Sequence, residues 1–251
     1  MSGFLTGRTS LTTVQTADIA ANAIDGTLTK DALVADYSDV TITAADLIMY
    51  GDATDSNNTK RDTVQGILDL GGGAWNIIGT AVASSSASLT ITGLDSTYDT
   101  YAVQLSDLVP ATDSVDGWFR FGDSSGIDTG ASDYGWGFAL FAINNTSANW
   151  NSGEDSSDAQ IKLNTAGVTT GVGNASGEGI AGMFYINGPG DSTRRSSICG
   201  IYDVTDTAGN TYGGRMSGDR ETVITLDRIL FQFSSGNIAT GRMTVWGLAH
   251  A

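Results

Sequence analysis

The chain has 251 residues, of which 33 are glycine and 2 are proline, and its 28 acidic and 12 basic residues give a formal net charge of −16. Nucleic acids and anionic membrane surfaces are bound by clustered lysine and arginine, so this charge balance argues against either as a partner. A single cysteine excludes an intrachain disulfide, and the apolar run around Cys199 predicts a small, buried side chain there.

We predict that the first 70 residues form an attachment segment. Their apolar positions are mostly alanine, and the segment contains only three aromatic residues. Ordering one residue costs about 1–2 kcal/mol of conformational entropy, and so little apolar surface does not offset that cost within one chain. Local patterns predict short helices at 16–24 and 29–35, strands at 40–43 and 47–50, a polar loop at 52–58 and helical turns over 62–70.

A glycine linker at 71–74 separates this segment from a predicted β-sandwich head at 75–251. Many short apolar runs separated by turn residues, without alternating long helices, predict an antiparallel, jelly-roll-like sandwich. The polar, glycine-rich stretch 144–178 is predicted to be a long loop excursion outside the core. The strands are predicted at 75–82, 89–92, 98–105, 118–121, 134–143, 161–163, 180–186, 198–204 and 212–216.

The last part of the chain, 223–248, carries the clearest strand pattern. Ile229, Phe231 and Phe233 share one parity, and Met243 and Val245 resume the alternation after the turn residues 234–237. The pattern predicts two strands that pair with each other as an antiparallel hairpin. We predict that Ile229, Phe231 and Phe233 form the core together with other apolar residues of the strands, namely Leu89, Ile91, Tyr101, Val103, Leu105, Phe119, Phe121, Trp136, Phe138, Leu140, Phe184, Ile186 and Ile198.

Residues for catalysis are scarce. The one histidine, His250, is the penultimate residue, so neither a histidine-dependent nucleophile nor a histidine-based zinc site is predicted. The glycine-rich run 171–179 lacks the lysine and hydroxyl residue of a phosphate-binding loop. Acidic residues at 123–128 and 155–158 are interpreted as turn formers, with structural calcium as the alternative. We therefore predict no catalytic residue and no cofactor.

Aromatic residues are the remaining candidates for function. Trp150 stands between two asparagines in a polar stretch, as an exposed aromatic would. Such residues anchor subunit interfaces and also contact sugars, and both interpretations remain open beside simple packing within the chain. The candidate interface or glycan-contact residues are Trp118, Tyr134, Trp136 and Trp150.

Three runs resemble structural proteins of tailed bacteriophages, of the tail-fibre and head-fibre type. The run from Ile229 to Gly241, closing with Val245–Leu248, is similar to their C-terminal IRFxFSSGNIASGxxxLYGL ending, with Trp246 in place of the usual tyrosine. The runs 89–101 and 46–63 resemble segments near and ahead of the start of the same domain. Such proteins carry no catalytic residues, so none are transferred to this chain.

The resemblance implies a virion protein that is not an enzyme, a homotrimeric fibre or spike anchored by its N-terminus with the sandwich projecting outward. Phe4, Leu5 and Leu11 are the predicted anchoring residues, and other capsid, tail or adaptor proteins are the predicted partners. The alternatives are a glycan-binding receptor head and, third, a polysaccharide-degrading enzyme. The opening residues do not resemble a signal peptide and no apolar run is long enough to span a membrane, so we expect folding in a host cytoplasm before assembly into the virion.

Overall fold

The computed structural model describes residues 41–70, 74–143, 150–165 and 169–249. The chain divides into two units, Met1–Leu70 and Gly71–Ala251. The helices predicted at 16–24 and 29–35 lie outside the described residues, as do the anchoring residues Phe4, Leu5 and Leu11 and the terminal His250.

In the first unit, β1 (Leu47–Asp52) and β2 (Asn58–Thr63) form an antiparallel pair that is followed by α1 (Val64–Leu70). A 3-10 turn at Ala53–Asp55 joins the strands, and the carboxylate of Asp52 accepts from the backbone N–H of Thr54 at 2.9 Å. The strand at 47–50 and the helical turns are confirmed. The sequence did not predict β2, because its exposed polar side chains show no apolar alternation.

The strand predicted at 40–43 is wrong over its described residues, 41–43. The backbone of Thr43 is engaged in a local turn with Asp46, whose carboxylate accepts from the N–H of Thr43 at 2.6 Å. The N–H of Asp46 in turn donates to the carbonyl oxygen of Thr43 at 3.1 Å. Both backbone groups of Thr43 are therefore used without a neighbouring strand.

The second unit is mainly β, and each strand predicted from its sequence overlaps an observed one. The strands are β3 (Trp75–Val82), β4 (Leu89–Thr92), β5 (Thr100–Pro110), β6 (Gly117–Asp123), β7 (Gly126–Ile127), β8 (Tyr134–Ala142), β9 (Trp150–Asp158), β10 (Ile161–Lys162), β11 (Gly179–Asn187), β12 (Ser197–Thr205), β13 (Thr211–Arg220), β14 (Arg228–Phe233) and β15 (Ile238–Leu248).

These strands form two antiparallel sheets, so the predicted antiparallel sandwich is confirmed. An eight-stranded sheet has the order β3-β15-β5-β11-β12-β13-β8-β9. A five-stranded sheet has the order β10-β6-β14-β4, with β7 paired to β6. Every core residue predicted from the sequence is buried. Phe119 on β6 and Phe184 on β11 meet edge-on between the sheets, with ring centroids 5.0 Å apart.

The predicted hairpin at 223–248 is wrong, because β14 and β15 belong to different sheets. β14 pairs with β4 and β6, whereas β15 pairs with β3 and β5. The turn between them therefore crosses from one sheet to the other. The side chain of Asn237 donates to the carbonyl oxygen of Ser85 at 2.8 Å and fixes this crossing.

The stretch 144–178, predicted as a loop, contains β9 and β10 in its described residues. Among the described strands β9 pairs with β8 alone, and its exposed polar side chains give no apolar alternation to detect. Ile161, Leu163 and Val172 are fully buried, so this stretch also contributes to the core.

Candidate binding surface on the outer face of the large sheet

Strand register determines which side chains of the eight-stranded sheet point away from the core. Successive residues of a strand point to opposite faces, and directly paired residues point to the same face. Leu140 of β8 is buried, so its neighbours Ala139 and Phe141 face outward. Phe141 pairs with Gly213 of β13, which pairs in turn with Asp203 of β12.

The next outward row places Ala139, Arg215, Ile201 and Met183 side by side across β8, β13, β12 and β11. Phe141 and Trp150 on one side, Ile201 and Met183 on the other, and the glycines Gly213 and Gly214 between them line a groove of about 660 Å³. That volume lies within the range of small-molecule sites, about 300–1,000 Å³.

Phe141 and Trp150 form the aromatic wall of the groove. Their ring centroids are 6.0 Å apart and the rings are tilted by 51°. Trp150 is 77% exposed and Phe141 47% exposed, although both are large apolar side chains. Trp150 is the first residue of β9 and pairs with Phe141, so the last strand of the sheet supports this wall.

Gly213 keeps the floor of the groove open beneath these rings. A Cβ atom at this position would lie 3.2 Å from Cδ1 of Ile143 and 3.5 Å from Cζ of Phe141. A larger residue would therefore push against the aromatic wall or fill the groove. The shape of the groove depends on this glycine.

A more polar groove of about 670 Å³ continues along the same sheet and shares Ala139 and Arg215 with the first. Ser152, Glu154 and Ser217 line it. The two grooves together form one trough with an aromatic half and a polar half, and Arg215 lies between the halves.

Arg215 is exposed, and no carboxylate in the described part of the chain lies within ion-pair distance of its guanidinium group. A guanidinium group presents five N–H donors in a planar arrangement. In a protein with 28 acidic residues, these donors are open to a ligand.

Asp203 supplies an acceptor in the aromatic half, where it pairs with Gly213. Loss of solvation in the groove, and next the nearby negative charge of Asp107, raise the pKa of Asp203 above its usual value. Both effects disfavour the ionised form. The groove therefore offers hydrogen-bond donors and acceptors beside an apolar wall.

The structure does not bring the four predicted contact residues together. Trp150 lies in the groove, and Trp118 is half-buried beneath the guanidinium group of Arg120, 5.7 Å from its ring. Tyr134 and Trp136 are buried, so the prediction that they form a surface contact is wrong.

Tyr134 and Trp136 have structural partners instead. The hydroxyl of Tyr134 donates to the carbonyl oxygen of Phe121 at 2.9 Å, and burial raises its pKa. Nε1 of Trp136 donates to the carboxylate of Asp158 at 3.0 Å. Phe141 and Arg215 were missed by sequence reasoning. The parity of Phe141, opposite to that of the core residues Phe138 and Leu140, was the signal that could have identified it as outward-facing.

Cys199 is exposed, so its predicted burial is wrong. Its neighbour Ile198 faces the core, and alternation along β12 therefore turns Cys199 outward. It pairs with Tyr185 and Ser217 and lines the polar half of the trough. The only thiol of the chain thus lies beside the candidate site.

In the acidic turns, for which structural calcium was the alternative interpretation, carboxylates accept hydrogen bonds from neighbouring residues of the chain. The carboxylate of Asp123 accepts from the N–H and hydroxyl of Ser125 at 2.8 and 2.6 Å. The carboxylate of Asp155 accepts from the N–H of Ser157 at 2.9 Å. Within residues 41–70, 74–143, 150–165 and 169–249, no group of three histidine, cysteine or acidic side chains could hold a metal ion.

A second exposed apolar surface lies on the hairpin of the first unit. Leu47 and Met49 share one face of β1 and are 56% and 77% exposed. Tyr50, on the opposite face, is 44% exposed. Both faces of this hairpin therefore present large apolar side chains to solvent.

No protein-family model, no curated protein and no solved structure matches this chain. Among the helices described, none has the length and apolar character needed to cross a membrane.

Proposed function

We propose that the protein is a structural component of a bacteriophage virion, a trimeric fibre- or spike-type appendage. Its first 70 residues attach it to neighbouring virion proteins, and the sandwich projects outward. The protein acts by assembly and not by catalysis, and it reaches the virion after folding in the host cytoplasm.

The exposed hairpin at 47–63 carries this proposal. A two-stranded hairpin is marginally stable alone in water, and one with apolar residues on both faces gains stability only when something covers it. Neighbouring copies or another virion protein would bury Leu47, Met49 and Tyr50. An attachment segment that becomes ordered on docking requires exposed apolar side chains of this kind, which the partner then buries.

The resemblance to phage appendage proteins adds support through the run 229–241. Phe231 and Phe233 of this run are buried, and Gly236 lies in the turn between the two sheets with φ of +70°. A Cβ atom on Gly236 would lie 2.1 Å from Oγ1 of Thr112. The shared residues are therefore those that the crossing between the sheets requires, which favours a common sandwich.

The two edge strands of the large sheet differ in charge, and this difference favours contact between subunits at one edge only. Edge strand β9 carries Glu154, Asp155 and Asp158, and such charges protect an edge from pairing. Edge strand β3 has no charged residue, and its Ile77 and Val82 are exposed. We place the subunit contacts at the β3 edge, and three-fold symmetry closes them into a trimer.

Immunoelectron microscopy tests the proposal. Antibodies against the full protein are applied to purified particles of the phage that encodes it. We expect label on a discrete appendage, at a fixed position on each particle. Particles without label, with all of the protein free in the lysate, would exclude a virion role.

A further inference from the structure

From the trough on the outer face of the large sheet, we infer that the protein binds a neutral oligosaccharide there. This inference goes beyond the virion role and does not depend on it. The proposed contacts are the rings of Trp150 and Phe141, the guanidinium group of Arg215 and the polar side chains that follow it.

The aromatic half suits the apolar face of a sugar ring. Trp150 is 77% exposed at the edge strand β9, and Phe141 supports it at 6.0 Å. Pyranose rings present C–H groups on one face, and a flat aromatic ring covers such a face at low conformational cost. Ile201 and Met183 form the opposite wall, so a ring inserted here would contact apolar side chains on two sides.

The polar half suits the hydroxyl groups of the next sugar. Hydroxyl groups both donate and accept hydrogen bonds, and they therefore need both kinds of partner. Arg215 supplies donors without a competing carboxylate in the described residues, and Glu154, Ser152 and Ser217 supply acceptors. An entirely apolar ligand would leave these polar groups unpaired.

The length of the trough favours a chain over a single sugar. Gly213 in the aromatic half and Ser217 in the polar half lie four residues apart on β13. A strand rises about 3.3 Å per residue, so the two positions are roughly 13 Å apart. A short oligosaccharide lying along β13 would contact both halves.

Charge favours a neutral saccharide. The chain carries a net charge of −16, and Asp203 and Glu154 line the two halves of the trough. A polyanionic glycan would be repelled, because Arg215 is the one cationic side chain among the described residues that line either half. A second copy of this chain is the weaker occupant, since the polar half would meet equally acidic surface.

Cys199 gives a direct readout, because the only thiol of the chain lines the polar half. The alkylation rate of the full-length protein with iodoacetamide is measured with cellohexaose, maltohexaose and chitohexaose as neutral probes, and with oligogalacturonate as the acidic comparison. We expect at least one neutral probe to slow alkylation saturably, roughly tenfold at ten times its Kd, and oligogalacturonate to have no effect.

Matched variants locate the binding to the trough. Trp150→Ala should weaken protection roughly tenfold or more, whereas Val223→Ala, at an exposed apolar position that lines neither half of the trough, should not. Arg215→Gln should also weaken it, and Arg242→Gln, an exposed arginine on β15, should not. Each variant must retain the wild-type melting temperature and the alkylation rate measured without sugar.

Three results would overturn the inference. The first is that none of the neutral probes protects Cys199, and the second is that oligogalacturonate alone protects it. The third is that protection of Cys199 from alkylation, measured without sugar, rises with protein concentration. The last result would identify the trough as an interface between copies. Virion labelling does not depend on sugar binding, so each proposal can fail while the other stands.

Discussion

Aspartates two residues before a serine or threonine recur in the turns of this chain. Hydrogen bonds from the side chain and then the backbone of that residue lower the pKa of each such carboxylate. A lowered pKa means that ionisation stabilises the folded turn, so the contribution is present above the unfolded-state pKa and is lost as pH falls through the folded-state pKa. The pairs are Asp52 with Thr54, Asp95 with Thr97, Asp123 with Ser125 and Asp191 with Thr193.

Asp203 should behave in the opposite way, because loss of solvation in the groove and the negative charge of Asp107 raise its pKa. Its ionised form costs stability at neutral pH, and that cost disappears as pH falls through the raised pKa. We predict that Asp203→Asn raises the melting temperature at neutral pH, whereas Asp191→Asn lowers it. Both differences should shrink toward about pH 3, where the carboxylates of the unfolded chain are mostly protonated.

Thermal unfolding of the two variants at neutral and acid pH checks this prediction. Shifts of the same sign in both variants at neutral pH would contradict it.

Arg220 is a buried cation that holds the segment before β8. Its Nε donates to Asp128 at 2.9 Å, and its Nη2 lies 3.0 Å from a carboxylate oxygen of Asp133. We predict that Arg220→Met lowers the free energy of unfolding by about 3 kcal/mol, because it leaves two poorly solvated carboxylates unpaired. Arg242→Met, at an exposed position, should change it by no more than about 0.5 kcal/mol.

Urea denaturation measures both free energies. Equal effects of the two substitutions would show that the contacts of Arg220 contribute nothing to the folded state.

Alternation along the strands predicted which face of each strand is buried, but not which strands pair with each other. Ile229, Phe231 and Phe233 are buried as predicted, yet β14 and β15 lie in different sheets. A strand with one buried face has the same pattern whether its neighbour in sequence is beside it or across the core. The two arrangements differ in the geometry of the turn between the strands. The four turn residues 234–237 did not allow that geometry to be predicted.

Only some residues of the groove carry a recognisable signal in the sequence. Trp150 stood out because it is an aromatic residue in a polar stretch, but β9 lacked any apolar alternation. Arg215 and Gly213 became functional candidates only once β13 was placed beside β8 and β12. The sequence contains no local signal for a site assembled across five strands.

Gly241 marks an irregular position in the pairing of β15 with β5. Its φ is +103°, and a Cβ atom would lie 2.3 Å from the carbonyl oxygen of Asp107. We predict that Gly241→Ala lowers the free energy of unfolding by about 3 kcal/mol, through both backbone strain and collision. Gly188→Ala is the control, since Gly188 has φ of +71° but nothing within 4 Å of the added carbon. It should lose only about 1 kcal/mol.

Chemical denaturation of the two alanine variants separates strain from collision. If the two variants lose the same stability, the backbone approach at Gly241 has no energetic consequence.

For the whole molecule, the two units differ in how they are stabilised. The sandwich has a continuous buried core, whereas the described part of the first unit exposes its large side chains. We predict that the full chain is a trimer by multi-angle light scattering, because copies must cover that surface. The fragment 75–251 should keep β-type circular dichroism and a cooperative melt. A monomeric full chain, or a fragment that does not melt cooperatively, would contradict this division.

Attachment of the protein to the virion through its first 70 residues can be tested by measuring whether a shortened protein is incorporated. Phage particles are assembled with the chain lacking residues 1–15, which removes Phe4, Leu5 and Leu11. We predict that this protein still forms trimers with a folded sandwich but is absent from purified particles. Incorporation of the shortened protein at the wild-type level would contradict this attachment. If the full chain with Trp150→Ala were then absent from particles, the sandwich would be the anchor.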